Sequence, residues 1–333
     1  MENTIKHVSI HNFKSIADLK LENCRRINLF IGYPNVGKSN VLEALGLFSL
    51  PYLKEGENLN RLVRAENKNE LLFDNKMTTC HIDDGVFTAE FRADDASFVM
   101  RHEFLSIEKQ IFLSPKLDLT SNTNDRENHW SANVKKYAFN ANQIWTSDND
   151  NSLLQPYGEN IVNVLSHNPN LSEVLIWIKK EFSKYKLELV LDVSTNSLKV
   201  QQRLDDDKVK QLPYSSIADT LRRVIFYKTA IASNTDSVLL FEEPEAHAFP
   251  PYISLITQDI IDAQNNQFFI VTHSPVIVNA FLEYKKTRKE TSIYLFDFKG
   301  NQTTVKRLSD EEMNEIYEYG EDVFFNIEKF LEE

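Results

Sequence analysis

Residues 32–40 read GYPNVGKSN, and the reading of this stretch decides the fold. It fits the pattern G-x-x-x-x-G-K-[ST]. On its N-terminal side, RINLFIG is a dense apolar run of the kind a buried strand shows. On its C-terminal side, KSNVLEALGLFSL places Val41, Leu42, Leu45 and Phe48 at helical spacing. Strand, glycine-bearing loop and helix are the setting in which this pattern cradles phosphate. Backbone amides around Gly37 and Lys38 turn inward toward phosphate oxygens, the helix N-terminus adds partial positive charge, and Lys38 neutralises the outer phosphates. Ser39 would place its hydroxyl on a magnesium ion. A chance Gly-Lys-Ser turn is the competing reading, and a chain with only eight glycines makes it a poor one. Gly32, Tyr33, Pro34, Asn35, Val36, Gly37, Lys38, Ser39 and Asn40 are therefore the expected nucleotide contacts.

A phosphate loop needs a second strand that ends in an acid, so that magnesium is held from both sides and water is oriented. VLLFEEPEAH, residues 238–247, supplies it. Glu242 would contact the metal or one of its waters, Glu243 would polarise the attacking water, and Pro244 stops further strand pairing. Alone, the segment would read as a charged turn in a chain that is 26% charged, and the phosphate loop decides between the two. A third run, FFIVTHSP (residues 268–275), puts His273 at the end of another buried strand, where it could reach the γ-phosphate as a donor. PNVGKS also occurs in small GTPases. The nearest guanine-site match, NKNE at residues 67–70, ends in Glu and follows no Asp-x-x-Gly switch, which sets that reading aside.

The 333 residues suffice for one large domain or two ordinary ones, and 42% hydrophobic content suffices for a core. A net charge of -12 argues against a surface devoted to gripping nucleic acid, although a local basic groove leaves DNA open. Cys24 and Cys80 make no disulfide framework. No basic leader and no membrane-length apolar run is present, so the expectation is a soluble, cytoplasmic protein with no membrane partner.

Along the chain, IKHVSIHNFKSIADLKLE suggests two short strands. Residues 78–112 suggest antiparallel hairpins broken at Asp-Asp-Gly and Asp-Asp, and residues 121–151 read as a long or partly disordered Asn-rich loop. A helical arm follows near residues 158–184 with a break at NPN, then strands at KLELVLDVS and SLKVQQRL. From Ser215 the alternation of helix and strand predicts an α/β layer with parallel strands. The expected organisation is an N-terminal lobe (1–52), an antiparallel β subdomain with the Asn-rich insertion (53–150), a helical arm with strands (151–212), a lobe carrying the acidic and histidine strands (213–300) and an acidic tail (301–333).

Taken in order, NFKS, GYPNVGKSN, LLFEEPEAH and VTHSP resemble the ABC-type ATPase superfamily, in its soluble branch with RecF, the SMC heads and the overcoming-lysogenization-defect family. The resemblance covers residues 1–50 and 210–300. It implies a P-loop ATPase head with a mostly parallel core sheet, an antiparallel β subdomain and a short helical arm. It also implies ATP and Mg2+ as cofactors, and heads that pair face to face as a homodimer or higher homo-oligomer, with each ATP between one phosphate loop and the other head's signature. By the same resemblance, Lys14 and Ser15 lie near the phosphates, Ser215 and Ser216 carry the signature, and Glu245 and His247 face the partner head. Glu243, His273 and Lys38 would be catalytic, and Ser39 with Glu242 would hold the metal. The chain departs from the family pattern in Ile217, at the signature glycine place, in a Glu-Glu rather than Asp-Glu pair, and in Asn35 for a loop glycine. The acidic end leaves no room for a fused TOPRIM nuclease, so a separate effector, a nuclease or toxin in phage defence, is the expected output. DNA-clamping repair of the RecF kind is the alternative, resting on Arg222, Arg223 and the run at residues 284–290.

Overall fold

A computed structural model describes residues 4–73, 79–103, 106–122, 133–142, 144–205 and 208–332. The sequence expectations at Thr78 and within 123–132 lie outside them. In chain order the elements are β1 (Val8–Phe13), β2 (Ile16–Leu21), β3 (Ile27–Gly32), α1 (Lys38–Gly46), β4 (Thr79–Asp83), β5 (Phe87–Arg92), β6 (Ser97–His102), β7 (Ile107–Leu113), β8 (Leu119–Asn122) and β9 (Val134–Tyr137). There follow α2 (Ile161–His167), α3 (Ser172–Ser183), β10 (Leu187–Asp192), β11 (Ser197–Asp205), β12 (Lys208–Pro213), α4 (Asp219–Ala232), β13 (Val238–Glu242), α5 (Pro250–Asp262) and β14 (Gln267–Val271). The chain closes with α6 (Pro275–Glu283), α7 (Lys285–Lys289), β15 (Thr291–Lys299), β16 (Gln302–Arg307), α8 (Asp310–Tyr319) and α9 (Ile327–Glu332).

The chain divides into two compact units, the first comprising residues 1–136, 236–243 and 267–333. Its central sheet has the order β16-β15-β3-β14-β13-β9. β3 pairs in parallel with β14 and β15, and β13 with β14, whereas β16 returns antiparallel to β15. β3 and β14 are buried at every position, which is why they read as unbroken apolar runs: a parallel strand covered on both faces has no polar side to alternate with. The second sheet, β2-β1-β4-β5-β6-β7-β8, is antiparallel throughout. The Asp-Asp-Gly turn that breaks β4 from β5 is held by side chains. Asp83 accepts from the Gly85 amide at 2.6 Å, and Asp84 from Val86 and Phe87 at 2.8 and 2.7 Å.

α1 is buried on nearly all sides, so its polar Glu43 is enclosed rather than solvated. After Gly46 the chain tightens into a 3-10 turn over Leu47–Tyr52 that contains Pro51. At the other end of the unit, Ser309 and Glu312 form a reciprocal capping box at the start of α8, and Gly320 in the left-handed region ends it.

The second unit comprises residues 137–235 and 244–266. α2 and α3 are separated at Asn168–Asn170, where the NPN break falls, and β10-β11-β12 form an antiparallel sheet. α4 packs on α5, and Lys228 places its ammonium on both Asp259 oxygens, at 2.7 and 2.6 Å. The helix expected to start on Ser215 and Ser216 starts at Asp219 instead. Tyr214–Ser216 make a 3-10 turn, and Ile217, drawn into the core, is extended and postpones the helix.

Candidate functional site

The turn after β3 is shaped by two residues in the left-handed region, Asn35 (φ 63°) and Gly37 (φ 98°). Asn tolerates this conformation through local hydrogen bonding. At Gly37 the demand is absolute, because a Cβ there would lie 2.0 Å from Thr303 Oγ1 and 2.8 Å from Ser15 Oγ. Beneath the loop, Ser15 and Thr303 join hydroxyls at 2.6 Å, Asn40 donates to Ser15 Oγ at 2.7 Å, and the Thr303 amide donates to the Ser15 carbonyl at 2.8 Å. The loop thus rests on β16 and the β1–β2 turn.

Lys38 begins α1 and folds back to donate to the carbonyls of Gly32 and Tyr33, both at 2.7 Å. Burial brings its pKa down to about 8, against the opposing pull of Glu243. Val36 is buried under the loop, while Tyr33 is half exposed.

The loop opens on a cavity of about 410 Å3 lined by Pro34, Asn35, Gly37, Lys38, Ser39, Asn40, Arg64, Glu243, Val271 and His273. Parallel pairing of β13 with β14 is what delivers the last three. Glu242 stands opposite Val271, and the next residue, Glu243, donates its amide to the Val271 carbonyl at 2.9 Å while turning into the left-handed region (φ 45°). Its carboxylate Oε1 lies 3.4 Å from His273 Nε2. Burial, and then the Lys38 ammonium, hold the His273 pKa below its ordinary value, with Glu243 opposing.

Glu242 is not among the residues lining the cavity. Arg64 donates to it at 3.1 Å, and Lys136 Nζ stands 4.0 Å from its other oxygen. Arg64 also donates to Glu43 Oε1 at 2.7 Å, and Lys14 binds Glu43 Oε2 and the Arg64 carbonyl. Burial lowers the pKa of Lys136.

Of the residues singled out from sequence, Pro34, Asn35, Gly37, Lys38, Ser39, Asn40, Glu243 and His273 converge on one cavity, whereas Gly32, Tyr33 and Val36 of the loop are outside its lining. Lys14 and Ser15 lie outside the lining set, engaged with Glu43 and with Thr303 and Asn40. Ser215, Ser216, Glu245 and His247 belong to the second unit, where both serines are exposed and the His247 carbonyl accepts from Thr220 Oγ1 at 3.0 Å. Sequence reading missed Glu43, Arg64, Lys136 and Thr303. For Thr303 a signal existed: Gly300-Asn301 between two β-leaning runs marks a hairpin. For the other three there was none, since their partners are distant in sequence.

Among the described residues no cluster of three or more His, Cys, Asp or Glu side chains could hold a metal by itself. The hydroxyl of Ser39 and the carboxylate of Glu242 are nonetheless hard oxygen donors of the type magnesium takes when substrate phosphates and water complete its shell. No helix of the described residues is long and apolar enough to cross a membrane.

Comparison with protein-family models matches residues 27–279 to the family described as "AAA domain, putative AbiEii toxin, Type IV TA system". An ATP/GTP phosphatase of Helicobacter pylori is 22% identical over 319 residues, covering 81% of this chain and 85% of that one. The DNA replication and repair protein RecF of Caldanaerobacter subterraneus is 34% identical over 64 residues, 19% of this chain and 18% of RecF. The short curated matches, RecF included, span only 17–20% of those relatives' own length. Among solved structures, an Smc head crystallised with the C-winged helix domain of ScpA superposes with a TM-score of 0.51 at 14% identity, over 92% of this chain and 99% of that one.

Proposed function

Because the chain belongs to this AAA-domain family, as a P-loop ATPase of the ABC type on its RecF- and SMC-like side, we propose that it binds ATP with Mg2+ at the loop of residues 32–40 and hydrolyses it slowly. The output of the cycle is control of a separate effector protein, a nuclease or toxin, in anti-phage defence. The observation that carries the chemical part is the convergence of Lys38, Ser39, Glu243 and His273 on one cavity. The phosphatase relative supports hydrolysis, and a family description that names a toxin–antitoxin system supports action within a two-component system.

In this reading Lys38 exchanges its two carbonyl partners for phosphate oxygens, and the loop amides take the remaining charge. Glu243 orients and accepts a proton from the attacking water, and His273 donates to the γ-phosphate. Ser39 and Glu242 would hold magnesium, which would supply neutralisation of the charge that develops on the phosphates. Ser215, Ser216, Glu245 and His247 face a second copy of the chain, so the active species is a dimer or larger.

The test is calorimetric titration of ATP together with phosphate release. Lys38→Ala abolishes both on this reading, and a wild-type protein that binds no ATP, or a Lys38→Ala protein indistinguishable from it, sinks it.

The RecF match favours a second reading, ATP-driven clamping on DNA. Its sequence support is thinned by pairing. Arg222 and Arg223 both hold Asp219 and both lie over the Phe139 ring, and Arg288 lies over Tyr317. DNA affinity that falls steeply with salt would favour clamping, and salt-insensitive capture of an effector would favour the first reading.

A further inference from the structure

We propose that Arg64 is the resident counter-ion of Glu242, a positioning residue with which divalent metal competes, and that it thereby sets how much metal the site demands. The inference rests on the reading of the cavity as a magnesium–nucleotide site. Arg64 spans two carboxylates, with Nε on Glu43 at 2.7 Å and a terminal nitrogen on Glu242 at 3.1 Å. The two ends differ. The Glu43 side chain is 0% exposed, fixed within α1 and also bound by Lys14, whereas Glu242 ends a strand beside the cavity. One end of the guanidinium is therefore anchored, and the other is exchangeable.

The Arg64 side chain is 64% exposed and lines the cavity, while the carboxylate it holds does not. A metal ion entering beside Ser39 meets the guanidinium before it meets Glu242. The guanidinium occupies one acceptor site of Oε1 and sets its positive charge on the cavity side, so an ion that coordinates Oε1 from there competes with Arg64. The exchange leaves no charge stranded. Arg64 keeps Glu43, and Lys136, fixed by its bond to the Leu62 carbonyl at 2.8 Å, still stands beside Oε2. Three cations (Lys14, Arg64, Lys136) against two carboxylates (Glu43, Glu242) also disfavour a divalent ion that arrives without nucleotide phosphates to offset it.

The experiment is titration of Mn2+ into the protein saturated with ADP, read by the loss of free-Mn2+ paramagnetic resonance, with metal-free ADP affinity in EDTA and thermal melting measured in parallel. Arg64→Gln is expected to melt a few degrees below wild type, because buried Glu43 keeps Lys14 but loses a charged partner, and to bind Mn2+ in the ADP complex roughly two- to fivefold more tightly, the scale of one partly exposed ion pair. Arg64→Lys, which keeps the charge, is expected to restore wild-type Mn2+ affinity, and in a Glu242→Gln background Arg64→Gln is expected to change it by less than in the wild-type background, only the charge effect remaining. Mn2+ affinity that is unchanged or weaker in Arg64→Gln overturns the proposal. So does a loss of ADP binding in EDTA, which would make Arg64 a nucleotide ligand instead. Wild-type protein that binds no ADP with or without Mn2+ removes the site reading and this inference together. ADP binding with a metal affinity indifferent to Arg64 removes this inference alone.

Discussion

His273 Nε2 and Glu243 Oε1 lie 3.4 Å apart at the ends of two adjacent parallel strands, with burial, and then the Lys38 ammonium, holding the imidazole pKa down. A neutral imidazole facing a carboxylate can share a proton without a fixed ion pair, so each side chain stays free for a different task. Glu243→Gln is expected to bind ATP with near wild-type affinity while phosphate release falls by on the order of 100-fold or more, and the ATP-bound assembly accumulates. His273→Ala is expected to slow release by about 10- to 100-fold. Single-turnover phosphate assays beside equilibrium nucleotide titration check both, and a Glu243→Gln protein turning over at the wild-type rate removes that residue from the mechanism.

Gly37 has Thr303 and Ser15 hydroxyls where a side chain would go. Gly37→Ala should cost about 2 kcal/mol or more, since strain from the left-handed backbone adds to a contact that cannot relax without breaking the hydroxyl pair. ATP affinity should fall by more than tenfold. Thr303→Ala should leave the melting temperature within a few degrees and weaken ATP only severalfold, which separates crowding of the loop from loss of its support.

Asp84 gives a pH dependence outside the site. Burial raises its carboxyl from 3.8 to about 6, against the two amides that favour the ionised form. The folded state then holds this proton more tightly than the unfolded chain, so the group's contribution is largest below about pH 4 and is lost as pH rises to about 6. The total is on the order of 2–3 kcal/mol. Asp84→Asn keeps an oxygen for the Val86 and Phe87 amides without the charge. It should raise stability at pH 7 by about 1–2 kcal/mol and flatten the slope between pH 4 and 6, as urea unfolding at several pH values would report.

Lys228 and Asp259 tie α4 to α5, with Lys228 also over the Trp177 ring at 5.4 Å. Lys228→Ala strands a carboxylate whose pKa burial already raises. The expected cost is about 2–3 kcal/mol, less than a fully buried pair because Asp259 is about a quarter exposed. Lys228→Met together with Asp259→Leu should recover most of it, measured by chemical denaturation.

What the sequence made legible follows from covering. The parallel strands are wrapped on both faces and read as apolar runs, and the turn at Asp83–Gly85 carries its own hydrogen-bonding side chains, so both could be placed by local rules. β12 could not, because KVKQLP is mostly exposed and is a strand only through pairing with β11. The convergence of Lys38, Ser39, Glu243 and His273 was readable because each follows a strand of known order. The engagement of Glu242 by Arg64 and Lys136 was not, since those partners come from a loop after α1 and from the edge strand β9, 178 and 106 positions away.

The bond between Ser15 and Thr303 joins residues 288 positions apart. During synthesis, the phosphate loop therefore leaves the ribosome long before the hairpin that props it. At about 5–20 residues per second the nascent loop waits on the order of 15–60 s without its support. The final geometry of the loop is thereby completed by a residue that comes late in the chain.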